Sequence, residues 1–66
     1  MEVTVNGVAC PLPDDATVAD VAVAVGASQR GCAVAVDGVV VPRAEWTSRA
    51  VRPDAQVEVV HAVQGG

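Results

Sequence analysis

The sequence contains no lysine, phenylalanine or tyrosine, and only one histidine, His61. Without lysine it can form neither a Schiff base nor a linkage through a lysine of its own. Its four bases are all arginine (Arg30, Arg43, Arg49 and Arg52), set against eight acids for a net charge of −4. Phosphate-backbone binding draws on clustered positive charge, so a nucleic-acid partner is not expected. A partner that reads charge should present a basic surface instead. The two cysteines, Cys10 and Cys32, form no CxxC. Small secreted scaffolds usually carry about two to four disulfides, so both are read as reduced, structural thiols. No cluster of His, Cys and acids has metal-ligand spacing. Gly7, Gly26, Gly31 and Gly38 stand singly, which leaves no glycine-rich phosphate loop. Apolar runs such as Val39-Val40-Val41 before Pro42 fall far short of the roughly 20 residues of a membrane span. Met1-Glu2-Val3-Thr4 enters strand-like alternation directly, with no targeting segment. The expectation is a cytoplasmic protein with no membrane partner.

What is present is small and apolar. Of 66 residues, 17 are Val and 12 are Ala. A chain of this size buries only about 60% of the surface its unfolded form exposes. Burying a Val contributes about 1.5–3 kcal/mol, and burying an Ala much less. One thin core is possible, so residues 1–66 are read as a single domain. Ligand clefts take about 300–1,000 Å³, which such a core has little room to line. A self-contained enzyme is not expected.

Residues 2–6 alternate as a strand, with Val3 and Val5 on one face. Asn6-Gly7 is a strong hairpin signal, because both central residues of a type I′ turn need positive φ. Val8, Cys10 and Leu12 continue with period two, and Pro11 marks an edge or an end. Thr17-Val18-Ala19-Asp20 fits a capping box. Val18, Val21, Ala22 and Val25 then form a helical stripe, closed by Gly26. The run Val21–Val25 also alternates as a strand would, but the start and stop signals favour a short helix. Residues 27–32 form a connection. Ala33–Val36, Asp37-Gly38 and Val39–Val41 read as a second hairpin. Pro42–Trp46 reads as one helical turn with Pro at its first position. Residues 51–55 form a turn, and Gln56–Ala62 a last strand with Val57 and Val59 on one face. One sheet covering one helix buries both apolar faces.

Few residues invite chemistry. His61 shares the Val57 and Val59 face by strand parity, and no Ser or Cys has a sequence context that suggests a triad with it. Its expected role is structural. Asp14-Asp15 reads as a turn before the helix, not as an acid–base pair. Trp46 is expected to cap the core with its broad ring. Val57 and Val59 are either core or docking surface, which parity alone does not decide.

The sequence ends in Gly65-Gly66. Glycine has no Cβ, so such a tail can thread a channel too narrow for other residues. From Val63 onward an extended tail reaches about 13 Å. A small body could thereby present the Gly66 carboxylate inside another protein's active site, where adenylation would make it an acylating agent.

Together Asn6-Gly7, the helix start at Thr17-Val18, Ala35-Val36-Asp37-Gly38, Val57-Glu58-Val59-Val60 and Gly65-Gly66 resemble the ubiquitin-like β-grasp proteins. The segment Val41-Pro42-Arg43-Ala44-Glu45-Trp46 is similar to the V-P-R-x-x-W of the ThiS family, the sulfur carriers of thiamine biosynthesis. The resemblance implies an α+β fold: a mixed sheet packed on one main helix, with a helical turn near residues 43–46. It implies a flexible C-terminal tail at 63–66, in which Val63, Gln64 and Gly65 enter partner channels and Gly66 is modified. The implied partners are an E1-like adenylyltransferase that uses ATP, a cysteine-desulfurase sulfur donor, and thiazole synthase, which takes sulfur from a Gly66 thiocarboxylate. The chain itself would bind no cofactor. Where the family has Gly-Asp before the last strand, this chain has Asp54-Ala55, a departure that should affect only turn geometry. Carriers for molybdopterin, cysteine or a secondary metabolite share the Gly-Gly ending but usually lack Pro42-Arg43 with Trp46. A non-carrier interaction module is the remaining alternative.

Overall fold

A computed structural model describes residues 1–27 and 31–61. The expected tail at 63–66, with Val63, Gln64, Gly65 and Gly66, therefore lies outside the described residues. So do Ala62 at the end of the expected last strand and residues 28–30 of the connection.

Strands β1 (Glu2–Val5) and β2 (Val8–Pro11) form the first hairpin, followed by helix α1 (Val18–Ala24). Strands β3 (Cys32–Val36) and β4 (Val39–Val41) form the second hairpin, a 3₁₀ turn spans Arg43–Glu45, and β5 is Gln56–His61. The sheet order is β2-β1-β5-β3-β4. Within it β1 and β5 run parallel, and every other neighbouring pair runs antiparallel. The last strand is therefore inserted between the first and the third. The mixed sheet with one helix is the expected architecture.

Local signals act as read. Asn6 and Gly7 have φ of 51° and 82°, and Asp37 and Gly38 have 50° and 86°, so each hairpin carries two successive positive φ values. Thr17 caps α1 with both halves of the capping box in place: its hydroxyl accepts from the Asp20 amide, while the Asp20 carboxylate accepts from the Thr17 amide at 2.8 Å. Asp54, at φ 65°, takes the left-handed conformation that the departure from the family pattern demanded of it.

Val18, Val21 and Ala22 of α1 are fully buried. They form one core cluster with Val3, Val5, Val34, Val41, Val57 and Val59 from a single face of the sheet. Val25 departs from the expected stripe: the helix stops at Ala24, and Val25 becomes a half-open C-cap residue. Val8 also departs, standing exposed on β2, an edge strand with one neighbour, just past the turn. Pro42 precedes the 3₁₀ turn as its N-cap, with an extended ψ of 142°, and does not occupy the first turn position.

Trp46 fills the core as expected and is 5% exposed. Its indole Nε1–H donates to the Val41 carbonyl at 2.9 Å, which ties the turn back to β4. The Arg43 guanidinium lies 4.6 Å from the ring centroid, within cation–π range.

Two turn residues also hold β5. The Asn6 side chain donates to the Val59 carbonyl at 3.1 Å and accepts from the Val59 amide at 2.9 Å, extending the β1 ladder by one side-chain rung. On the opposite flank the Asp37 amide donates to the Gln56 carbonyl at 2.8 Å, and its carboxylate accepts from the Gln56 amide at 2.9 Å.

Replacing Asn6 by glycine keeps the positive φ and removes the clamp. Asn6→Gly should lower unfolding free energy in urea by about 1–3 kcal/mol, the cost of leaving the Val59 backbone groups unpaired. Trp46→Phe should cost a similar amount through the Val41 carbonyl, and Trp46→Ala about 3–5 kcal/mol through the cavity it leaves.

Candidate functional site at the end of the last strand

The residue proposed from sequence as the reacting group, Gly66, follows β5 by five positions. What the structure places is the root of that segment. Strand β5 has neighbours on both sides, β1 and β3, and its pairing with β3 runs from Val36↔Val57 through Cys32↔His61. The Asn6 clamp adds two bonds at Val59, two residues before the strand ends. The last described residue thus ends a strand that is paired on both sides.

Alternation along β5 sorts its side chains. Val57 and Val59, 2% and 8% exposed, face the helix and belong to the core. Of the two readings, core or docking surface, the structure gives core: β5 is central, and its helix-facing side is covered at Val57 and Val59. The residues of opposite parity, Gln56, Glu58 and Val60, are exposed. Val60 is 62% exposed and pairs with exposed Ala33. Val40, 66% exposed, pairs with half-buried Ala35, which in turn lies opposite Glu58. The open face beside the exit of β5 is thus built from small apolar side chains with an acid among them. Sequence parity fixed Val60 on the face opposite Val57, but its neighbours depend on a register that links distant segments.

His61 lies on the parity of Val59, as expected, at an exposed position where that face ends. Cross-strand pairing brings it to Cys32, with Sγ 3.1 Å from Nδ1. Sequence spacing gave no sign of this pair, since the two residues are 29 positions apart. Cys10 and Cys32 are free thiols. Asp14 and Asp15 are exposed in the turn before α1. Among the described residues, no three His, Cys, Asp or Glu side chains converge as a metal site would require. No described helix is long and apolar enough to cross a membrane.

A surface depression of about 280 Å³ lies between Val36, Asp37, Val39, Arg49, Ala50 and Arg52. It falls at the lower limit of ligand clefts, about 300 Å³. Arg49 is engaged with Glu45 in an exposed i,i+4 ion pair.

No curated protein sequence matches the chain. Among solved structures, the crystal structure of the thiamine biosynthesis protein ThiS from Geobacter metallireducens is similar throughout. The TM-score is 0.81 at 25% sequence identity, with 100% of each chain covered. The five-stranded mixed sheet with its helix is therefore a ubiquitin-like β-grasp, as the resemblance implied. The ThiS family model matches residues 3–66, a span that includes both the Pro42–Trp46 segment and the Gly65-Gly66 ending. The chain belongs to the ThiS family.

Proposed function

We propose that this protein is a sulfur carrier in thiamine thiazole biosynthesis, serving other enzymes as a substrate. The observation that carries the reading is the family match running through Gly65 and Gly66. The Gly66 carboxylate attacks the α-phosphorus of ATP on an E1-like adenylyltransferase, and pyrophosphate leaves. A persulfide from a cysteine-desulfurase system displaces AMP from the acyl-adenylate to give an acyl disulfide, and a thiol then cleaves its S–S bond, leaving a C-terminal thiocarboxylate and a new disulfide. Thiazole synthase takes that sulfur, and Gly66 returns as a carboxylate. ATP belongs to the activating enzyme, and the carrier holds no cofactor of its own. The work is cytoplasmic.

Each part of the chain has a physical role in this cycle. Gly65 and Gly66 offer no Cβ to a narrow channel, and Val63 and Gln64 span the distance from the body. The open face at Val60, Ala33 and Val40 is the docking surface for the adenylyltransferase. It adjoins the end of β5, so an enzyme seated there meets the tail at its root. The small apolar side chains suit close approach, and the acidic surface suits a partner that is basic around the contact.

Incubating the protein with the adenylyltransferase, ATP, cysteine and the desulfurase should replace one oxygen by one sulfur, read by intact mass. Deleting Gly66 should abolish the change and leave thermal unfolding where it was. An unchanged mass with an enzyme shown to be active on another carrier would overturn the reading. Adding thiazole synthase should consume the thiocarboxylate, and persistence of the sulfur would point to a different acceptor. Val60→Arg should raise the KM of the adenylyltransferase for the carrier about tenfold with kcat unchanged, a loss of about 1.4 kcal/mol of binding.

A further inference from the structure

We propose that Cys32 and His61 form a base-assisted thiol that reacts with sulfur–sulfur bonds, a covalent modification site on the body of the protein. The inference stands independently of the carrier reading. It rests on a cross-strand pair in which a nucleophile and a base meet directly, with Sγ 3.1 Å from Nδ1. That separation lies inside hydrogen-bond reach, the geometry by which a weak nucleophile is activated. The pair is also open to reagents: Cys32 is half-buried and His61 is exposed.

The register makes the contact a property of the fold. Cys32 opens β3 and His61 closes β5, and the two strands pair residue for residue from Val36↔Val57 to Cys32↔His61. A slip of one residue would turn one side chain of the pair to the opposite face of the sheet. The paired bonds between Asp37, just past β3, and Gln56 of β5 resist such a slip, since they hold both backbone groups of Gln56.

The chemistry is thiol–disulfide exchange. With the imidazole protonated at Nε2, its Nδ1 takes the thiol proton as Cys32 Sγ attacks one sulfur of a small disulfide. A Cys32–S–S–R bond forms, the original S–S bond breaks, and the departing thiolate carries off the electron pair. The thiol is oxidised and the incoming disulfide reduced in the same step, so no other oxidant is consumed. A persulfide reacts in the same way at its outer sulfur, leaving Cys32 persulfidated and releasing a thiolate.

Cys10 supplies an internal control. It is half-buried like Cys32 but has no imidazole beside it, since the only histidine is paired with Cys32. Two strands, β1 and β5, separate β2 from β3, which puts the two cysteines about 14 Å apart across the sheet. That exceeds the Cα separation of about 7 Å beyond which a disulfide cannot close, so an incoming disulfide yields a mixed product at one thiol.

The test uses the full chain and the aromatic disulfide 5,5′-dithiobis(2-nitrobenzoic acid), with each site's rate read by peptide mass mapping. Cys32 should react at least about tenfold faster than Cys10, in keeping with general-base assistance. His61→Phe keeps a ring without a base and should bring the Cys32 rate down to that of Cys10. His61→Gln should do the same by a different side chain, and circular dichroism should show both variants folded. Cys10→Ser should leave the fast phase intact. Equal rates at the two cysteines, or a fast Cys32 in folded His61→Phe, would overturn the proposal.

Discussion

The structure depends on inserting the last strand between the first and the third. β5 pairs in parallel with β1 and antiparallel with β3, so it joins two hairpins that would otherwise be separate two-stranded ribbons. Isolated hairpins are marginal in water, and three or more strands with a covered face are needed for independent stability. The parallel contact with β1 is short, Thr4↔Gln56 and Val5↔Val57. Asn6 lengthens it by bonding the backbone of β5 at Val59, and on the other side Asp37 lengthens the β3 pairing by bonding β5 at Gln56. Each of these residues serves twice. Its positive φ turns a hairpin, and its side chain then fastens a strand from elsewhere in the chain.

That double use explains what could be read from the sequence. Asn6-Gly7, Asp37-Gly38 and the Thr17/Asp20 capping box are local devices, complete within four residues, and each appears as read. Helix α1 was ambiguous by hydrophobic pattern alone, because Val21–Val25 alternates as well as it spirals. Its cap decided the matter, and tertiary burial of Val18, Val21 and Ala22 overrides the strand preference of valine. The position of β5, the clamp at Asn6 and the Cys32–His61 pair are non-local. They join residues 21 to 53 positions apart, and a periodicity carries no information on which strand lies beside which. For the same reason Val57 and Val59 could be placed on a common face without showing whether that face was covered.

The near-exclusive use of Val and Ala in the core fits this construction. Valine is stiff at χ1 and loses little side-chain freedom on burial, and alanine loses none. A sheet of small, β-branched residues thus orders at low entropic cost, but it leaves space that short side chains cannot fill. Trp46 fills such space from a turn outside the sheet, anchored by its hydrogen bond to the Val41 carbonyl. Tryptophan is tolerated there because its one polar atom has a partner. The V-P-R-x-x-W resemblance therefore has a structural meaning: Pro42 sets the extended entry, Arg43 stacks on the ring, and Trp46 closes the core.

A carrier of this design separates two requirements that conflict in an enzyme. An active site must combine a shaped cavity with strained or perturbed groups, and both draw on a limited core. Here the proposed chemistry lies at Gly66, beyond the last strand, so the body can devote its core to holding β5. Rigidity at the root of the tail then matters more than rigidity of the tail itself. Fixing the origin of a short segment lowers the ordering cost that a partner must meet to capture its end. The central position of β5 supplies that fixed origin. An edge strand, bonded along one side only, would fray from its terminus and release the same glycines at an undefined point.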